Sequence, residues 1–98
     1  MQLFIYNRTW LENTISRLRS ERRQIEELRE NLKYARQTSP PECVDEFLKM
    51  DRELESLEES LRKTQDALSI FMNETERNNR HIRASYEEQI DRARHIFD

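Results

Sequence analysis

The 98-residue chain contains no glycine, and that absence removes whole classes of structure. Glycine is the residue that visits positive φ freely, so strands joined by tight turns, collagen-like repeats and flexible linkers all lack their usual component. Phosphate-cradling glycine loops are excluded for the same reason, and with them the P-loop and dinucleotide-binding folds. Cysteine occurs once, as Cys43, so no internal disulfide can form. Its place just after the prolines fits a small packing residue better than a nucleophile. The longest apolar run is Leu3 to Tyr6, far short of the roughly 20 residues that a membrane-spanning helix needs. No basic segment followed by an apolar stretch marks a signal peptide, so a soluble cytoplasmic protein is expected.

Proline is almost as scarce. The only two, Pro40 and Pro41, are adjacent in "RQTSPPECVDEF", residues 36 to 47. Proline cannot sit inside a helix but suits a first turn, where its missing N–H has no partner to lose. Ser39 with Glu42 has the spacing of a capping box, which puts Pro40 at the first helical position. Thr9 with Glu12 offers a second box and a helix start at Trp10. Hydrophobic content of 35% against 38% charged is too polar for a thick globular core. The expected fold is all-α, a single helical-hairpin domain over residues 1–98: helix 1 at about 9–37, a turn at 38–39, and an extended helix 2 at about 40–97.

The apolar spacing says how the helices meet. From Phe47 a three-four alternation runs through Met50, Leu54, Leu57, Leu61, Thr64, Leu68, Phe71, Thr75, Asn78 and Ile82, five heptads of a coiled-coil stripe. Past Ile82 the apolar residues fall at Tyr86, Ile90, Ala93 and Phe97, and two consecutive four-residue steps mark a stutter where the stripe turns. In the first helix Leu11, Ile15, Leu18, Ile25, Leu28, Leu32 and Ala35 keep helical spacing, with Arg22 where a core residue is due. Residues 1–38 carry eight basic against five acidic side chains, and residues 39–72 carry four against nine, net +3 against −5. Opposite signs favour an antiparallel coiled-coil hairpin. In it, Arg22 and Arg23 would lie beside Glu55 to Glu59, and Trp10 and Leu11 against Leu68 and Phe71.

Such a hairpin leaves a remainder. Helix 2 outlasts its partner by some 20 residues, roughly 30 Å at about 1.5 Å per residue. Ile82, Tyr86, Ile90, Ala93 and Phe97 are then expected to be exposed, with Leu3, Phe4, Ile5 and Tyr6 at the same end. Contiguous exposed apolar residues mark interaction sites, so these nine are the candidate partner-binding residues. Asn73 with Glu76 could instead start a third helix that folds back. Because "NETERNNRHIRAS" holds no glycine or proline to force a corner, a straight helix is expected.

Catalytic chemistry finds little footing. His81 and His95 are fourteen residues apart, nearly four helical turns, too far to share a metal. The carboxylates Glu53, Glu55, Glu58 and Glu59 read as an acidic helix surface, with nothing apolar nearby to raise a pKa. Fourteen of the seventeen basic residues are arginine, which suggests nucleic acid. The net charge of −3 and the acids interleaved at Glu21, Glu26 and Glu27 argue against it. A non-enzymatic protein with no catalytic residue, metal or cofactor is expected. Two functions fit: an adaptor, chaperone or targeting factor that binds a helical partner, and a self-associating coiled coil that forms a four-helix bundle homodimer.

A chain of about a hundred residues bent into two helices near its middle resembles the small helical-hairpin proteins of type VII secretion, including the accessory proteins that accompany large effectors. The layout covers the whole chain. "TSPPE" stands where that family has its Trp-Xaa-Gly turn, the only tryptophan lies in "RTWLEN", and Ile90 occupies the acidic place of a tail motif starting at Tyr86. The resemblance implies an accessory partner that binds an effector's helical N-terminal region and could leave the cell with it, without a cleaved signal peptide. No motif residue carries over.

Overall fold

The computed structural model describes residues 3–97, with side chains through Ile96. Among them it is two α-helices joined by one 3-10 turn, with no strand. Helix α1 spans Arg8–Thr38, the 3-10 turn Pro41–Cys43, and helix α2 Val44–Phe97. The helices pack antiparallel as an all-α hairpin with a long second helix. The molecule is a rod of 86 × 17 × 15 Å. Helix α2 runs unbroken for 54 residues, so no third helix folds back.

Both helix starts differ from expectation. The α1 cap is Asn7, not Thr9: its side chain accepts from the Trp10 N–H at 2.9 Å, and the helix begins at Arg8. Asparagine at this place satisfies one of the orphan N–H groups of the first turn as well as threonine would, and the chain uses the earlier of the two. At the corner, Ser39 ends α1 rather than starting α2. Its hydroxyl donates to the Arg36 carbonyl at 3.1 Å, and its backbone is extended at φ −93°, ψ 160°. Pro40 is extended too, φ −58°, ψ 148°, as a residue preceding another proline must tend to be. Pro41, not Pro40, therefore opens the turn, and α2 starts at Val44.

This longer corner shifts the pairing register by a turn or more. Arg22 donates from Nη1 to Gln65 Oε1 at 2.8 Å, while it still lies close to Glu59 at the end of the acidic stretch 55–59. Further along, Arg8 pairs with Glu76 at 2.7 Å and the backbone of Phe4 meets Asn79. Residues 39–43 are spent in the corner, so α1 and the segment before it reach farther along α2.

The seam also selects a different row. Side chains turned towards α1 recur at Phe47, Asp51, Leu54, Glu58, Leu61, Gln65, Leu68, Met72, Thr75, Asn79 and Ile82, all buried or half-buried. Alternate members of the expected stripe, Phe47, Leu54, Leu61, Leu68, Thr75 and Ile82, are in it. The other members are not: Met50, Leu57, Thr64 and Phe71 are exposed and Asn78 lies at the margin. On α1 the seam is Leu11, Ile15, Leu18, Arg22, Ile25, Arg29, Leu32 and Arg36, while Leu28 is exposed. In heptad letters the apolar row shared by both helices is d, the polar row beside it is a, and the exposed apolar row on the other flank is g.

Opposite charge at the a row explains the choice. Arg29 donates from Nε to Asp51 Oδ1 at 2.9 Å and from Nη1 to Glu58 Oε2 at 3.2 Å, with Glu55 at 3.8 Å. A two-helix contact covers two rows of each partner. Four of the five a residues of α1 are arginine; Arg29 meets Asp51 and Glu58, Arg22 meets Gln65, and Arg8 meets Glu76 of the adjoining e row. Rotating either helix to bury g would carry its a row out towards water and forfeit these pairings.

Candidate interaction surface

Residues 3–7 form a non-helical arm that continues the path of α1 along α2. Asn79 holds it by one rung. Its Oδ1 accepts from the Phe4 N–H at 3.0 Å and its Nδ2 donates to the Phe4 carbonyl at 2.7 Å. Both backbone polar groups of Phe4 are thereby satisfied by one buried side-chain amide. Two residues on, the Tyr6 hydroxyl donates to Glu76 Oε1 at 2.8 Å, and its ring meets Phe71 edge-on with centroids 6.2 Å apart. Burial first, and then the Glu76 hydrogen bond, hold the Tyr6 phenol above the ordinary tyrosine pKa.

This arm corrects one candidate residue. Ile82 is not exposed; it is 6% accessible and belongs to the core. The register shift and the arm together bring chain to a level that α1 alone would not reach. Of the other candidates, Leu3, Phe4 and Ile5 keep exposed side chains although the Phe4 backbone is fixed, and Tyr6 is half-buried. Tyr86 at 65%, Ile90 at 48% and Ala93 are exposed on the free end of α2. The Phe97 side chain lies outside the described residues. The candidates thus form two groups at one end of the rod, an arm of three apolar side chains and an overhang from about residue 83, with Ile82 buried between them.

A second apolar surface runs the length of the hairpin. Since Arg29 at an a position reaches Asp51 and Glu58 at a and Glu55 at e, the a and e rows of both helices share one side, and the d and g rows share the other. On the g row α1 carries Thr14, Glu21, Leu28 and Ala35. The corresponding row of α2 carries Met50, Leu57, Thr64, Phe71 and Asn78. One of these nine is charged. On the e row of the paired region α1 has Glu12, Arg19, Glu26 and Lys33, and α2 has Leu48, Glu55, Arg62, Ser69 and Glu76, so seven of nine are charged.

The charged side is already occupied with itself. A groove lies there, near the corner, lined among others by Arg29, Arg36, Asp51 and Glu58. Its charges neutralise one another. The Arg29 hydrogen bond holds the Asp51 carboxyl below the usual range, and Asp51 in turn raises the Arg29 guanidinium. Arg62 does the same for Glu59 within α2. One defect remains in this side: Arg22 Nε is buried with no partner, and the residue facing it, Gln65, is neutral. Among the described residues no group of three or more His, Cys, Asp or Glu side chains is placed to hold a metal, and no helix is long and apolar enough to cross a membrane.

Comparison with protein families, with curated proteins and with solved structures returns no match to this chain. The surface is accordingly described by its chemistry alone. Sequence spacing found the overhang but assigned Leu28, Met50, Leu57 and Phe71 to the core. The signal that separates them is the width of the stripe: three apolar rows, d with a partial a and g, are more than a single partner helix can cover.

Proposed function

We propose that this chain is a non-enzymatic protein–protein interaction module, an adaptor, chaperone or targeting factor that presents the free end of α2 and the arm to a helix of another protein. The observation that carries it is the overhang. Helix α2 continues about 15 residues past its partner, roughly 22 Å at about 1.5 Å per residue, with Tyr86, Ile90 and Ala93 uncovered. From 83 to 97 three arginines balance three acids, so the segment offers apolar contact without a strong charge preference. Amphipathic helices bind such surfaces through residues spaced three and four apart. A helical N-terminal region of a type VII secretion effector is one partner of this kind; in that setting the chain acts in the cytoplasm or leaves with its cargo.

The test is the double variant Tyr86→Asp, Ile90→Asp. Two stripe side chains at an interface contribute about 1.5–3 kcal/mol each, so binding should weaken a hundredfold or more. Helicity and melting temperature should stay at the parent values, since neither residue touches α1. Retained binding of the same partner by this variant overturns the reading.

A further inference from the structure

The apolar d–g side of the hairpin is open over most of its length, covered only where Tyr6 meets Phe71, and we propose that it is covered by a second copy of this chain, with both corners at the same end of a four-helix bundle. The hairpin alone does not bury its own stripe. Among the described residues only Leu11, Ile15, Ile25 and Ile82 are buried apolar side chains, while Leu57 at 49% and Phe71 at 50% stand open. A compact monomer of 12.1 kDa exposes about 6,000 Å²; this chain exposes 8257 Å². The surplus, roughly 2,000 Å² per chain, is of the order that obligate homodimers remove. The radius of gyration, 23.9 Å, is nearly twice the roughly 13 Å of a compact chain of this length.

Self-pairing needs a surface that fits itself, and this one does. With one charge in nine positions, the g row meets its own copy without like-charge repulsion. Charge at the rim then fixes the arrangement. Next outward from g lies the c row, which on α2 carries Glu46, Glu53 and Glu74 and on α1 carries Arg17 with no acid. If the corners were at opposite ends, α2 would lie antiparallel against α2 and the two acidic c rows would adjoin with no basic row between them. A two-fold axis along the rod puts α1 against the partner's α2 instead, and net +3 in residues 1–38 against net −5 in residues 39–72 is satisfied between chains as it is within one. The Leu28, Leu57 and Phe71 side chains would then fill the middle of the bundle. The overhang takes no part in this contact, so the two surfaces stand or fall separately.

Cys43 provides the test without mutation, because it is the only cysteine, is exposed and lies in the corner. The full chain should sediment at twice 12.1 kDa. A spin label on Cys43 should report an intermolecular distance within about 30 Å, one bundle cross-section of helices 8–10 Å apart plus label arms. Distances above about 45 Å, the length of α1 at about 1.5 Å per residue, would mean opposed corners and overturn the arrangement. A monomer overturns the proposal outright, as does a chain that associates only one-to-one with a different protein. The double variant Leu57→Asp, Phe71→Asp should sediment as a monomer with its helicity retained, whereas Tyr86→Asp, Ile90→Asp should remain a dimer. Persistence of the dimer in the first variant removes the d–g side as its interface.

Discussion

The two sides of the hairpin are made of the same two helices and differ in almost everything else. On the a–e side, arginines of α1 meet acids and amides of α2 at hydrogen-bond distance, and seven of nine flanking residues are charged. On the d–g side, leucines, Met50 and Phe71 form a broad apolar strip with Glu21 its only flanking charge. The polar side sets the register and leaves nothing to offer a partner. The apolar side carries the free energy of burial and keeps part of it unspent. A helix pair can thus be correctly paired and still incomplete, because its apolar faces point to one common side rather than at each other.

The comparison can be broken most severely at the d row. Ile25→Ala removes a buried side chain and should cost about 2–4 kcal/mol in thermal unfolding, against less than about 1 kcal/mol for Leu28→Ala in a dilute monomer. Equal losses at the two positions would mean that d and g are not distinct rows. Next in size is Asn79→Ala. It removes both hydrogen bonds to Phe4 and leaves that backbone to water, so about 1–3 kcal/mol of arm docking should vanish. Rapid amide exchange at Phe4 and new proteolytic cleavage near Tyr6 are the expected readouts; an unchanged exchange rate would mean that the arm is held elsewhere.

The Arg22–Gln65 layer sharpens the contrast in the other direction. Replacing both by leucine removes the unpartnered Nε and should raise stability by about 1 kcal/mol or more, since a well-packed apolar layer commonly outperforms a buried polar one. Loosened register is the expected cost, visible as a broader distribution of distances between labels on the two helices, because polar seam residues specify alignment. A loss of stability would show that the layer is a net stabiliser.

The smallest effect is in pH. Asp51 has its folded pKa depressed by the Arg29 hydrogen bond. Its contribution is therefore fully present above the ordinary aspartate value of 3.8 and is lost as the pH falls through the lower folded value. Acid unfolding should lose this component in the Asp51→Asn variant, whose stability should fall less steeply below that value. Because both partners are about a third exposed, the pair contributes at most about 1 kcal/mol. A parallel pair of acid-unfolding curves would remove Asp51 from the list of linked groups.

Much of the fold could be read from the residues themselves. Two adjacent prolines in a chain without glycine mark one corner and no other, and the long uninterrupted stretch after them marks a straight second helix. What escaped was the choice between rows on either side of d. Met50, Leu57 and Phe71 are more hydrophobic than Asp51, Glu58 and Gln65, so periodicity on one helix favours g. Only the arginines of the other helix, at matching heptad positions, reverse that preference. The register was hidden for a related reason, since Ser39 is as good an end for α1 as a start for α2, and the cost of extended Pro40 appears only when both prolines are placed. Asn79 gave no signal at all: its partner is backbone, which has no sequence signature.

The sidedness of the hairpin is tested most directly by alkylation of single cysteines placed along each flank in a Cys43→Ser background, at Leu28, Leu57 and Phe71 on one side and at Arg19, Glu26 and Arg62 on the other. With protein concentration raised through the association range, the first three should become protected by about tenfold or more, since thiol reactivity follows access. The second three should react at a constant rate. Protection of both flanks alike, or of the charged flank alone, would contradict the account.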